Sequence, residues 1–176
     1  MVFRCYTAAM RALGIDCGSQ YTGFGVVEQT AAGELVCVAA GAIHLRSRDP
    51  LSVRLLRVSE ELGTIIERYQ PEVAAIEEVF YAANVKSALK LGEVRGVAMM
   101  TAAKCGLPVV GYAPLAVKSA VVGYGRAEKR QVQEMVARLL KLPSPPQSAD
   151  AADALAVAIC HLHTASTLAA QQANRR

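Results

Sequence analysis

Four carboxylates stand at positions where the packing of an apolar core would not require an acid. Asp16 ends one apolar run just before Gly18, and Glu77 ends a second apolar run. Asp150 and Asp153 are three residues apart, so both project from one side of the first turn of a predicted helix. A carboxylate at the end of a buried strand is costly to place unless a cation meets it. The pattern therefore predicts that these four residues share a cation.

The types of these residues indicate which cation and which reaction. Oxygen ligands without clustered Cys or His favour magnesium or manganese over zinc. Two such ions about 4 Å apart can activate a water and stabilise the departing oxygen of a phosphodiester. Taken singly, each acid also has an ordinary role: Asp150 or Asp153 could complement a helix dipole, Asp16 could cap a turn, and Glu77 could pair with a lysine. The prediction of metal-dependent phosphodiester hydrolysis therefore depends on the four together.

The composition fits one compact domain. The chain has 176 residues, of which 53% are hydrophobic and 19% charged. Charges interrupt every apolar run well before the roughly 18 residues of a membrane span, and the N-terminus lacks a signal-peptide pattern, so we expect a cytoplasmic protein. Five scattered cysteines without a CxxC pair predict neither a zinc site nor a disulfide framework. The net charge of +4 is compatible with a polyanionic partner such as nucleic acid.

The order of the elements predicts a mixed α/β fold. Three short runs rich in β-branched residues, at 12–16, 22–28 and 34–41, predict an antiparallel meander. The other predicted elements are an amphipathic helix ending near Tyr69, a strand at 73–76, a helix at 85–104, a strand at 107–112, a short helical turn from Pro114, a helix at 130–140 and a last helix at 149–164. This order predicts one mixed, five-stranded sheet with helices on both faces.

The same reading gives the domain organisation. We expect a frayed extension at residues 1–9, one nuclease domain at 10–165, and a polar, disordered tail at 166–176.

Four segments carry a resemblance to a known family. They are LGIDCGSQYTGFGVV, AAIEEVFYAANVKSALKLGEVRGVA, VKSAVVGYGRAEKRQVQEMV and ADAADALAVAICHLH. In this order and spacing, from about residue 10 to 164, they resemble the RuvC family of Holliday-junction resolvases. The resemblance implies a ribonuclease-H-like fold and a metal-dependent endonuclease that resolves four-way DNA junctions by paired symmetric nicks, in DNA recombination and repair. The family's four catalytic acids, which are also its metal ligands, fall at Asp16, Glu77, Asp150 and Asp153.

The resemblance also implies cofactors and partners. We predict two Mg²⁺ ions per subunit, for which Mn²⁺ can substitute, a homodimer, and the branch-migration proteins RuvA and RuvB as partners. A two-fold dimer would bring two identical sites to a two-fold substrate, and the small-residue segment GEVRGVAMMTAA is a candidate for its interface.

The chain departs from the family at one position beside the first acid. The family usually has proline there, whereas this chain has Cys17. The loss of proline relaxes the turn and would place a thiol beside the acids, which raises the hypothesis that Cys17 binds soft metal ions. Glu78 receives no catalytic role.

DNA binding requires basic side chains around an acidic centre that would otherwise repel the phosphates. The candidates are Lys86, Lys90 and Arg95 on the helix after Glu77, with Lys118, Arg126, Lys129 and Arg130 near the loop around Gly123. For Lys86 and Lys90 a solvated helix face is an equal alternative, and the resemblance favours Lys118 and Lys129. Phe80 and Tyr81 follow the second acidic strand, and by resemblance Phe80 stacks on a base unpaired at the crossover. His161 and His163 are interpreted as structural.

Three other functions stay open on the sequence. The first is an RNA-processing enzyme of the same fold. The second is an ATP-binding actin-like or kinase domain, suggested by GIDCGS, although such proteins usually need two lobes and this length suits one. The third is a non-catalytic junction-binding module, against which the four intact acids argue.

Overall fold

The structure, a computed structural model, describes residues 9–78 and 85–173. Its elements in chain order are β1 (Met10–Cys17), β2 (Tyr21–Gln29), β3 (Leu35–His44), α1 (Leu51–Tyr69), β4 (Val73–Glu77), α2 (Val85–Lys104), β5 (Val109–Tyr112), α3 (Pro114–Val122), α4 (Lys129–Leu139) and α5 (Ala149–Ala173).

The five strands form one mixed sheet in the order β3-β2-β1-β4-β5. The pairings of β1 with β2 and of β2 with β3 are antiparallel, so the predicted meander is confirmed. Strands β4 and β5 extend the sheet in parallel with β1. Both parallel crossovers run through helices, as parallel pairing requires. The predicted fold class, a mixed five-stranded sheet with helices on both faces, is confirmed.

Successive residues of β1 face opposite sides of the sheet. Leu13 and Ile15 belong to the cluster that α1 and α2 cover, whereas Ala12 belongs to the cluster that α3, α4 and α5 cover. Because the side-chain period of a strand is two residues, Asp16 lies on the α5 side and Cys17 on the α2 side. The same alternation in β4, where Ala75 joins the α5 cluster and Ile76 the α2 cluster, places Glu77 on the α5 side.

Helix α5 lies directly on β1 and β2 because glycines face it. A Cβ added to Gly14 would lie 2.0 Å from the carbonyl oxygen of Ala154 and 2.6 Å from the amide nitrogen of Ala158. Backbone atoms cannot rotate away from such an overlap as a flexible side chain can, so only glycine permits this close approach of the helix to the strand. The contact fixes where the first turn of α5 lies along the sheet.

Two predicted elements are longer than expected. Helix α3 has nine residues, so the predicted short turn at Pro114 is a full helix. Helix α5 continues to Ala173, so the prediction of a disordered tail is wrong for residues 166–173. Ala165, near the predicted end of the helix, is buried, and Ser166 donates a hydrogen bond to Gln29 Oε1 at 2.8 Å. These contacts with the rest of the fold stabilise the helix beyond residue 164. Within the described ranges, no helix is long and apolar enough to cross a membrane.

Candidate active site

Two of the four acids come from neighbouring strands at the same end of the sheet. Ile15 of β1 pairs with Ile76 of β4 in parallel register, so Asp16 and Glu77 follow side by side. Both acids face α5, as the alternation along each strand requires. The sheet thus delivers two carboxylates next to each other on rigid backbone.

The other two acids come from the first turn of α5. Gly23 of β2 pairs with Asp16 across the sheet, and a Cβ on Gly23 would lie 2.0 Å from the carbonyl oxygen of Asp150. The backbone of Asp150 therefore rests on the strand beside Asp16. Asp153 is one turn further along the same side of the helix. Gly23 was not singled out from the sequence, although its alternation with Gly25 in YTGFGVV is the signal of a strand face on which a helix packs closely.

The acids act on each other electrostatically. Burial, followed by the charges of Glu77, Asp153 and Asp150, raises the pKa of Asp16 from 3.8 to about 7, and only Lys129 opposes this. Burial and Asp153 likewise raise the pKa of Glu77, against the opposing charges of Lys118 and Lys129. The structure thus brings the four predicted acids to one place where their negative charge is only partly compensated.

Two lysines lie close enough to these acids for their charges to act on them. The ammonium of Lys129 is 2.6 Å from Asp153 Oδ2, and this hydrogen bond raises the pKa of Lys129. Lys118 donates a hydrogen bond to the carbonyl oxygen of Ala127 at 3.0 Å, which ties α3 to the segment before α4. Both lysines were predicted as phosphate contacts, and both hold positive charge at the acidic centre.

The donor set and the charge of the cluster fit a hard divalent cation. Carboxylate oxygens are the ligands that Mg²⁺ and Mn²⁺ prefer, and burial together with the neighbouring carboxylates raises the pKa of both Asp16 and Glu77. Among the described residues, no three Asp, Glu, His or Cys side chains are grouped closely enough to enclose an ion. Asp153 instead contacts Lys129. The residues therefore fit the cation in chemistry and charge, while their side chains are not drawn together around one.

Arg95 and Cys17 lie on the other face of the sheet. Arg95 Nε donates to the carbonyl oxygen of Glu77 at 3.2 Å and Nη1 contacts Met99 Sδ, so this side chain holds α2 against β4 rather than projecting toward a phosphate. Burial, then the charge of Asp16, raises the pKa of the Cys17 thiol to about 12. A neutral thiol directed away from the acids gives no support to the hypothesis that it binds soft metal ions.

The other predicted DNA contacts have varied surroundings. Lys86 and Lys90 are exposed on the first turns of α2, and Arg126 is exposed in the loop before α4. Arg130 is exposed and pairs with Glu134 at 2.9 Å. Phe80 and Tyr81 lie outside the described residues.

The two histidines have structural partners. Nδ1 of His161 shares a hydrogen bond of 2.9 Å with the hydroxyl of Tyr112, and burial lowers the pKa of His161 to about 4. Nδ1 of His163 lies 3.1 Å from the carbonyl oxygen of Ala120. These contacts join α5 to β5 and α3, in agreement with a structural role.

Comparison with known protein sequences gives matches along nearly the whole chain. The family model described as crossover junction endodeoxyribonuclease RuvC matches residues 12–161. The protein of that name from Koribacter versatilis is 65% identical over 159 residues, which are 90% of this chain and 96% of that protein. The one from Acidobacterium capsulatum is 54% identical over 169 residues, covering 93% and 99%.

Solved structures match to the same extent. The structure of Thermus thermophilus RuvC has a TM-score of 0.82 and 32% identity, covering 91% of this chain and 98% of that one. T. thermophilus RuvC in complex with Holliday junction substrate has a TM-score of 0.82 and 30% identity, covering 90% and 96%. The yeast mitochondrial Holliday junction resolvase Ydc2, at 15% identity and a TM-score of 0.65, shows the fold alone.

Proposed function

This chain belongs to the RuvC family of crossover junction endodeoxyribonucleases, and on that premise we propose that Asp16, Glu77, Asp150 and Asp153 are its catalytic acids. The enzyme is a metal-dependent endonuclease that resolves Holliday junctions in DNA recombination and repair. The observation that supports the assignment of the acids is their meeting at one end of the sheet from three separate elements, β1, β4 and α5.

We propose that the four carboxylates hold two Mg²⁺ ions per subunit, for which Mn²⁺ can substitute. When bound, such ions activate a water and stabilise the departing oxygen of the phosphodiester. Asp16, whose pKa is about 7, must lose its proton before its carboxylate can bind a cation. Lys129 offsets the charge of Asp153 and so reduces the repulsion that an approaching phosphate would meet.

We propose that basic and aromatic side chains bind the DNA around these acids. Exposed cations attract the phosphate backbone irrespective of sequence. Phe80 and Tyr81, which follow β4, are proposed to stack on a base unpaired at the crossover. The basic residues proposed to contact DNA are Lys86, Lys90, Lys118, Arg126, Lys129 and Arg130.

The proposed assembly is a homodimer that works with the branch-migration proteins RuvA and RuvB. Helix α2 carries an exposed apolar stripe, in which Val85, Leu89 and Met100 are 73%, 63% and 55% exposed. A Cβ on Gly92 or Gly96 would meet nothing within 4 Å, so these glycines face outward along the same helix. An apolar stripe with small residues between its large ones suits close contact with a second copy of the helix.

The assignment of the acids is tested with Asp153→Asn. This variant should bind a synthetic four-way junction with nearly wild-type affinity, because the basic surface is intact. Its rate of junction cleavage in Mg²⁺ should fall by at least about a thousandfold, because removing one member of a group of catalytic residues that act together lowers the rate by factors of this size. Normal cleavage would refute the role of Asp153.

A matched control is Glu34→Gln. Glu34 is also a carboxylate paired with a lysine, Lys141, at 2.8 Å, but it lies at the opposite end of the sheet. The Glu34→Gln variant should cut junctions at the wild-type rate. Incubation of the wild type with structured RNA of matched length separates this function from that of an RNA-processing enzyme of the same fold, which would cut the RNA in preference.

The dimer is tested with Leu89→Glu, which places a charge on the α2 stripe. Sedimentation should show a monomer for this variant and a dimer for the wild type. The control is Leu56→Glu, since Leu56 of α1 is similarly exposed, at 57%. If both variants sediment like the wild type, α2 is not the interface.

A further inference from the structure

A basic and aromatic surface lies at the end of the edge strand β3, two strands across the sheet from β1. Tyr21 pairs with His44 across β2 and β3, and their rings stack with centroids 4.8 Å apart and planes at 16°. His44, Arg46, Ser47 and Arg48 line an open depression of about 470 Å³. All four are exposed, and we refer to them with Tyr21 as the β3–α1 patch.

The patch is held on an ordered turn. Leu45 is 1% exposed and packs into the core between the sheet and α1. Its backbone N–H donates to the carbonyl oxygen of Gln20 at 2.8 Å, and the N–H of Asp49 donates to the carbonyl oxygen of Arg46 at 3.0 Å. The arginines therefore project from a fixed backbone, which lowers the entropy that a ligand would lose on ordering them.

The charges of Arg46 and Arg48 are uncompensated within the described part of the chain. Neither Arg46 nor Arg48 pairs with a carboxylate of residues 9–78 or 85–173, and Asp49 in the same turn forms no ion pair there either. Arg95, by contrast, is engaged in contacts that hold α2. A planar guanidinium with free donors is suited to a phosphate, and the patch presents two of them.

The location of the patch points to DNA rather than to a small anion. Asp16 pairs with Gly23, and Gly23 pairs with Ala42, two residues before His44. The patch thus lies at the same end of the sheet as the acids, about 10 Å across two strand spacings. Lys129 lies in the acid cluster itself. The acids therefore have cations on the β3 side as well as at their centre, spaced for more than one phosphate.

We propose that the β3–α1 patch binds the sugar-phosphate backbone of one duplex arm of the junction, about three to five base pairs from the phosphate that is cut. This inference rests on the proposed function. The distance follows from the offset of at least about 10 Å and the rise of 3.4 Å per base pair. The patch thereby orients an arm relative to the acids without reading its sequence, because phosphate contacts position a duplex and base contacts specify it.

The test compares Arg46→Gln/Arg48→Gln with the wild type in equilibrium binding to a four-way junction over a range of salt concentrations. Each lost phosphate contact lowers the slope of log K against log salt by about 0.9. The double variant should therefore show a slope smaller by about 2 for each subunit bound, and affinity lower by one to two orders of magnitude at 0.1 M salt.

Two further variants distinguish a contact made by the patch from the effect of the protein's overall positive charge. Arg68→Gln/Lys104→Gln removes the same charge from the last turns of α1 and α2, at the opposite end of the sheet, and should leave the slope unchanged. Arg46→Lys/Arg48→Lys keeps the charge and should retain most of the slope. Equal slopes for the two glutamine double variants would overturn the proposal.

The contact is located with neutral methylphosphonates placed singly along one arm. The wild type should lose affinity when the substitution lies three to five base pairs from the cut, and Arg46→Gln/Arg48→Gln should be insensitive there. If the double variant loses as much as the wild type at every position, the patch does not bind that arm. Cleavage by the wild type in Mg²⁺ is scored separately, so failure of the patch is distinguished from failure of the proposed function.

Discussion

Gly23 is the residue through which the fold sets the distance between the acids of the sheet and those of α5. In Gly23→Ala the new Cβ would lie 2.0 Å from the carbonyl oxygen and 2.5 Å from the carbonyl carbon of Asp150. Ordinary contact between such atoms needs about 3.5 Å. The first turn of α5 must therefore recede by roughly 1.5 Å, because the obstacle is backbone and cannot rotate away.

The expected consequence is a specific loss of catalysis. Displacement of about 1 Å in a catalytic constellation costs on the order of a hundredfold in rate, equivalent to about 2.7 kcal/mol. Single-turnover cleavage of a junction at saturating enzyme should fall by this factor. Junction affinity should change little, since the exposed basic residues are untouched. Overpacking should also lower the free energy of unfolding by about 1–3 kcal/mol.

The control is Gly63→Ala in α1, where a Cβ meets nothing within 4 Å. Alanine there should stabilise the helix slightly and leave cleavage unchanged. A Gly23→Ala protein that is folded by circular dichroism and cuts at the wild-type rate would refute the reasoning that this contact positions Asp150 and Asp153.

Two further predictions concern stability and pH, both measured by urea unfolding with EDTA present. The folded pKa of Asp16, about 7, exceeds its ordinary value of 3.8, so the stability of the wild type falls as pH rises through that window. Asp16→Asn carries no such charge, and it should therefore be more stable than the wild type at pH 8 by about 4 kcal/mol while losing cleavage. No gain at pH 8 would contradict the raised pKa of Asp16 and, with it, the burial and the neighbouring carboxylates that cause it. For His161 the stability changes in the opposite direction with pH, because its folded pKa of about 4 lies below its ordinary value of 6.5. On going from pH 7.5 to pH 5 the wild type should therefore lose about 2 kcal/mol more stability than His161→Gln. Equal losses would show that His161 is not the titrating group.

The local pattern of the sequence determined most of the elements and the four acids. Short runs of β-branched and apolar residues located all five strands, and α2 was predicted with the bounds that the structure shows, because these signals lie within one segment. The acids stood out because a carboxylate at the end of an apolar run has an evident cost. Side chains of β4 alternate between the two faces of the sheet, which assigns Glu77 to the α5 face and Glu78 to the other face. The alternation in β4 alone was therefore enough to select Glu77 rather than Glu78 as the acid that joins the other three.

The tertiary structure decided what depends on residues far apart in the chain. Arg95 was predicted to contact a phosphate, but its guanidinium donates a hydrogen bond to the carbonyl oxygen of Glu77 at the end of β4. The sequence of α2 alone does not predict this contact. Lys129 contacts Asp153, 24 positions along the chain, and α5 continues past residue 164 because Ser166 meets Gln29 of β2.

The sequence by itself thus determined which side chains can bind a cation, because that property belongs to residue types and their local spacing. Only the tertiary structure decided that Asp150 rests on Gly23 beside Asp16. It also decided that Arg46 and Arg48, at the same end of the sheet, form no ion pair with the residues that the structure describes. The physical reason is that distances and electrostatic fields between separate elements are set by packing, which no single segment encodes.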